Sequence, residues 1–284
     1  MAPSSILRRI ASCAVCLFVA TASHAASSPK TAAKVDRLLD AAGIAHSVRQ
    51  LLPSMMASFD DPSQKLPTNV RYALREATEQ AFQPEPMIAR VRTRMGAALT
   101  ERQLDDTLAW LDSPLGRRIT ALENESAEPA ALPKILAYAR ELEKRPLSQP
   151  RAGLLREMDA ATGASEVNSL MTEAGILAVA LGMNAAQPVE QQVPADALRE
   201  NVKASMPQLR QQVTEMVVLG MSYTYRSLSD QELGSYLKFL KSPSGAAYSK
   251  AAVAGMNEAI LEANARFMQL IPKAIIKHKG TTGA

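Results

Sequence analysis

Leu99-Thr100-Glu101-Arg102-Gln103-Leu104, running on to Trp110-Leu111-Asp112-Ser113-Pro114-Leu115-Gly116, decides how this chain is read. The pattern returns as Leu228-Ser229-Asp230-Gln231-Glu232-Leu233, running on to Phe239-Leu240-Lys241-Ser242-Pro243-Ser244-Gly245. The offset between the two stretches is a constant 129 residues, leucine fills the same four places in each, and Ser-Pro-x-Gly closes both. The sequence therefore reads as a duplication.

Each stretch spells out a helix start. Thr100 and Ser229 stand as N-caps, and Gln103 and Glu232, three residues on, can reach back to the cap's own N–H, which completes a capping box. Leu99 and Leu228, just ahead of the caps, pair with Leu104 and Leu233 as hydrophobic staples. Leu104, Leu108 and Leu111 then recur at helical spacing, as do Leu233, Leu237 and Leu240, so each helix carries one apolar stripe in need of a partner. Ser113-Pro114 and Ser242-Pro243 end these helices and begin new ones, with serine as cap and proline as first helical residue. Gly116 and Gly245 fall one turn into the new helices, where glycine costs about 1 kcal/mol relative to alanine. Close approach by a neighbouring helix is the expected reason for it.

This capped helix, Ser-Pro-x-Gly corner and second helix resembles the bacterial domain-of-unknown-function family 2059, whose members are mostly exported helical proteins. The resemblance covers residues 85–125 and 213–256. Trp110-Leu111 and Phe239-Leu240 hold the place of the family's aromatic pair and keep its first aromatic. The resemblance implies an all-helical fold, with no assigned activity and no catalytic residues to carry over.

Composition points the same way. A chain of 284 residues that is 47% hydrophobic can bury a substantial core, and 4% aromatic content with abundant alanine and leucine suits close-packed helices. No stretch alternates β-branched residues as a strand would. The expected class is all-α, in two tandem, related multi-helix domains.

Residues 1–25 read as an export signal. Arg8-Arg9 form the basic start, Ile10 to Ala22 the apolar segment, and Ser23-His24-Ala25 the small-x-small site, with cleavage expected after Ala25. The apolar run is shorter than the ~20 residues that span a bilayer. Cys13 and Cys16, the chain's two cysteines, both lie in this segment, so the mature protein would hold neither a disulfide nor a thiol nucleophile. Removing Arg8 and Arg9 also lowers the formal charge from +4 to +2, which argues against a nucleic-acid partner. A periplasmic or secreted protein without a transmembrane segment is expected.

Along the mature chain, copy 1 is expected over 26–146 and copy 2 over 147–284. Between them Lys144-Arg145-Pro146-Leu147-Ser148-Gln149-Pro150 breaks the periodicity. Arg156-Glu157-Met158-Asp159-Ala160-Ala161 echoes Arg37-Leu38-Leu39-Asp40-Ala41-Ala42 at an offset of 119, ten fewer than at the Ser-Pro corner. A longer loop at Asn184 to Pro194 is the expected cause. The last helix is expected to run from Pro243 to Pro272 and leave Lys277-His278-Lys279 as a basic tail.

Catalytic candidates are sparse. His46 and His278 are the histidines outside the export segment, and no zinc-ligand spacing accompanies them. Glu101, Asp105, Asp106 and Asp112, and again Glu123, Glu125 and Glu128, gather carboxylates, but helix starts and exposed faces favour acids for structural reasons. Ser113 and Ser242 sit where caps sit, with no Gly-x-Ser-x-Gly elbow around them. The 13 methionines are dispersed and helically phased, which suits core packing or an adaptable groove better than copper. No catalytic, metal or cofactor residue is therefore assigned. The residues singled out are architectural: Thr100, Gln103, Ser113, Pro114 and Gly116, with Ser229, Glu232, Ser242, Pro243 and Gly245. They point to a non-catalytic protein that binds an envelope protein partner or an apolar ligand between helices. The alternative is a carboxylate-dependent hydrolase acting on envelope or polysaccharide material.

Overall fold

Thr100 Oγ1 accepts a hydrogen bond from the Gln103 N–H at 3.3 Å, and Gln103 Oε1 accepts from the Thr100 N–H at 2.9 Å. The second stretch repeats the box: Ser229 Oγ accepts from the Glu232 N–H at 3.2 Å and Glu232 Oε2 accepts from the Ser229 N–H at 2.7 Å. At the corners, Ser113 Oγ and Ser242 Oγ accept from Gly116 N–H and Gly245 N–H at 3.0 and 3.1 Å. These local bonds place four helix starts in a computed structural model that describes residues 29–60, 66–185 and 187–279. Residues 1–25, read above as an export signal with a cleavage site after Ala25, and both cysteines lie outside the described residues.

The described residues form twelve α-helices and no strand, an all-α fold. They are α1 Pro29–Ala41, α2 Ile44–Phe59, α3 Thr68–Ala81, α4 Pro84–Ala98, α5 Glu101–Leu111 and α6 Pro114–Ala127. There follow α7 Ala131–Lys144, α8 Gln149–Thr162, α9 Ala164–Ala185, α10 Ala195–Thr224, α11 Asp230–Leu240 and α12 Pro243–His278. A short 3₁₀ turn, Val189–Gln191, lies between α9 and α10.

The two corner glycines answer to sterics. A Cβ on Gly116 would stand 2.3 Å from the Trp110 carbonyl oxygen, and one on Gly245 would stand 2.0 Å from that of Phe239. The neighbour that approaches is thus the helix just completed, whose last carbonyls press against the first turn of the next.

Two apolar clusters fill the interior. The larger takes Leu38 of α1, Leu74 of α3, Met95 of α4 and Leu104 of α5 together with Ile260, Phe267 and Ile271 of α12. The smaller joins Ile119 of α6 to Leu155 and Met158 of α8 and to Leu233, Leu237 and Leu240 of α11. Each cluster therefore draws on both sides of residue 147. The helix pairs show the exchange to be reciprocal: α12 lies along α3 and α4, while α6 and α7 lie on α10. Ala251, Gly255 and Ala259 line one face of α12, and a Cβ on Gly255 would come within 3.0 Å of the Val91 backbone. Small residues at four-residue spacing let α12 and α4 meet almost backbone to backbone. Arg94 of α4 flanks this seam by pairing with Glu258 at 3.4 Å, and Arg90 pairs with Glu262.

Two local expectations are corrected. The ten extra residues between the matched segments of the second half do not sit in a longer loop. Most lie in α9, which has 22 residues against the 16 of α2. The loop itself is closed by Asn184, whose side chain exchanges two hydrogen bonds with Val193, at 2.8 and 2.9 Å. Nor does α12 stop at Pro272. It continues to His278, because Ala274 and Ile275 are buried beyond the proline and Lys277 and His278 reach Glu76 of α3 at 2.8 and 2.7 Å. Burial and pairing outweigh the one backbone hydrogen bond that proline forfeits.

Candidate functional site

Gly116, Ile119 and Thr120 form the buried face of α6, and Glu123 follows at the spacing that continues it. A carboxylate thus takes a place where an apolar side chain belongs. Tyr225 caps the C-terminus of α10, and Tyr236 sits on the buried face of α11 beside Leu233, Leu237 and Leu240. Tyr248 lies one turn into α12. Both Tyr225 and Tyr236 are almost wholly buried, at 4% and 8% exposure.

The phenol O–H groups of Tyr225 and Tyr236 both donate to Glu123 Oε1, at 2.6 and 3.1 Å. Among the described residues, Glu123 Oε2 receives no hydrogen bond and no Lys, Arg or His pairs with the carboxylate. Burial pushes the Glu123 carboxyl above the usual glutamate range, against the opposing effect of the two phenol hydrogen bonds. Burial first, and then the charge of Glu123, pushes the phenols of Tyr225, Tyr236 and Tyr248 well up, so all three remain neutral donors.

These four side chains border a cavity of about 580 Å³, within the range of small-molecule sites. It lies between α2, α6, α8, α9, α10, α11 and α12, so both sides of residue 147 build its wall. Ile44, Leu51, Met221 and Leu240 supply apolar surface, while Ser47, Gln50 and Asn168 supply neutral polar groups. Ser249 also borders it. That residue is 6% exposed, and its Oγ has no hydrogen-bond partner among the described residues. Glu123 is the one carboxylate among the described residues that line this cavity.

The aromatic surroundings hold the tyrosines in place. Trp110 stacks on Tyr236 with centroids 4.9 Å apart and 15° between planes, and Tyr225 meets Tyr236 edge-on at 6.2 Å and 80°. Arg151 reaches the Tyr225 carbonyl at 2.8 Å and Asp230 at 2.6 Å, tying the end of α10 to the start of α11.

The residues singled out from the sequence lie at the helix starts, away from this cavity. Thr100 and Gln103 share a separate cleft with Ser242 and Pro243, so the first capping box faces the second corner. Glu232 is joined instead to α6 by Arg118, which donates to its Oε1 and to the Ser227 carbonyl, both at 2.7 Å. Ser113, Pro114, Gly116, Ser229 and Gly245 complete the same local corners. His46 and His278 face different carboxylates, Glu128 at 3.0 Å and Glu76 at 2.7 Å. Sequence reading placed Glu123 in an acidic run and passed over the tyrosines. The signal that finds Glu123 is its phase, seven residues after Gly116 on the buried face. The tyrosines sit on three helices and share no local signal.

Comparison of the chain with family models, with curated proteins and with solved structures gave no match.

Proposed function

We propose that this chain is an exported, non-catalytic binding protein of the periplasm or extracellular space, built from two copies of one helical plan, which holds a small ligand in the Glu123 cavity. The observation that carries the reading is one carboxylate, free on one oxygen among the described residues, bordering a cavity of about 580 Å³ whose other described lining residues are neutral. Glycoside hydrolysis of the ordinary kind needs two carboxyl groups ~5–10 Å apart across the scissile bond, and the cavity lining supplies one. Binding needs no second group. The two-copy plan is supported by the paired caps and by Trp110 and Phe239, which hold the same place in the two stretches and touch each other. In a two-fold arrangement a residue meets its own counterpart at the axis.

The test uses the purified chain from residue 26 onward, screened for ligands by native mass spectrometry and thermal shift, and for turnover against a panel of glycosides, peptides and esters. A bound small molecule with no turnover is the expected result. Turnover that Glu123→Gln abolishes in a folded protein would instead establish the hydrolase.

A further inference from the structure

We propose that the ligand of this cavity is a small organic monocation, a primary amine or quaternary ammonium compound whose charge lies against the free Oε2 edge of Glu123. The inference rests on the reading of the cavity as a binding site. An ionised carboxylate offers about four lone-pair positions over two oxygens. Here both phenol donors converge on Oε1, which leaves Oε2 as acceptor without a donor among the described residues.

Charge narrows the ligand further. Among the described residues no Lys, Arg or His lines the cavity, so a phosphate, sulfate or carboxylate group would meet Glu123 with nothing there to offset the repulsion. A cation supplies the missing counter-charge. One carboxylate balances one positive charge, so a polyamine would bring in charges that the lining does not answer. Tyr225, Tyr236 and Tyr248 also border the cavity, and aromatic rings attract cations. The raised Glu123 carboxyl agrees with a charge that burial penalises until a cation joins it.

The experiment is isothermal titration calorimetry at pH 7.5 on the chain from residue 26 onward, with n-hexylamine, benzyltrimethylammonium, 1-hexanol and hexanoate as probes. The two cations should bind at least tenfold more tightly than 1-hexanol, and hexanoate should bind most weakly. Glu123→Gln, checked for its fold by circular dichroism, should remove the preference for cations while leaving 1-hexanol unchanged. Equal binding of hexylamine and 1-hexanol overturns the cation and leaves the cavity as a binding site. No binding of any probe overturns both. Should Glu123→Gln fail to fold, the charge series on the wild-type protein decides by itself.

Discussion

Trp110 lies flat against Phe239, with ring centroids 4.3 Å apart and 9° between their planes, although 129 residues separate them in sequence. The same indole stacks on Tyr236, so one side chain connects the end of α5 to the wall of the Glu123 cavity. Phe239→Ala should cost about 3 kcal/mol in urea unfolding. A double-mutant cycle with Trp110→Ala should return a coupling of about 1 kcal/mol. Strictly additive losses would show that the two rings contribute nothing through each other.

Glycines separate into two groups by what a methyl would meet. Gly116→Ala and Gly245→Ala force a Cβ into a carbonyl oxygen and should each destabilise by about 2 kcal/mol. Gly153 and Gly234, inside α8 and α11, have nothing within 4 Å of a built Cβ. Alanine there should stabilise by about 0.5–1 kcal/mol. Thermal unfolding of the four variants checks the reversal of sign.

Ser113→Ala and Ser242→Ala remove the acceptor for an otherwise unpaired helix-start N–H and should each cost about 1 kcal/mol. Threonine at either position should restore most of it, since its hydroxyl serves the same cap.

Two glutamates should give opposite dependences of stability on pH. Burial raises the Glu123 carboxyl, so the folded protein holds this proton more tightly than the unfolded chain. Stability then falls as pH rises from the unfolded value of 4.5 through the raised folded one. The groups facing it, Tyr225, Tyr236 and Tyr248, stay neutral throughout this window. Hydrogen bonds from Lys277 first, then His278, lower the Glu76 carboxyl. Its contribution is therefore present above pH 4.5 and is lost as pH falls through the lowered folded value. Urea midpoints measured from pH 3 to 8 should lose the first trend in Glu123→Gln and the second in Glu76→Gln.

The helix starts were legible because a cap is a contract between residues three apart. Thr100 with Gln103, Ser229 with Glu232 and each Ser-Pro corner carry their whole explanation locally. Leucine spacing likewise announced which face of α5 and α11 is buried. It could not name the partner, because an apolar stripe specifies only that something apolar must cover it. The run of α12 along α3 and α4 is settled by Gly255 meeting Val91, a fit between surfaces far apart in sequence. Pro272 misled for a related reason: proline's local penalty was readable, while the burial of Ile275 and the pairing of Lys277 with Glu76 were not. The cavity was hidden most deeply. Its carboxylate looked like one more acid on a solvated helix until its phase on α6 was matched to the tyrosines opposite.

The crossing of helices over residue 147 has a mechanical consequence. A single proteolytic nick in the connection between α7 and α8 would sever the covalent link without parting the pieces, since Phe267 and Ile271 stay embedded among Leu38, Leu74 and Met95. The nicked molecule should migrate as one particle on a sizing column and as two bands in denaturing gel. The Glu123 cavity, walled by both fragments, would survive the cut.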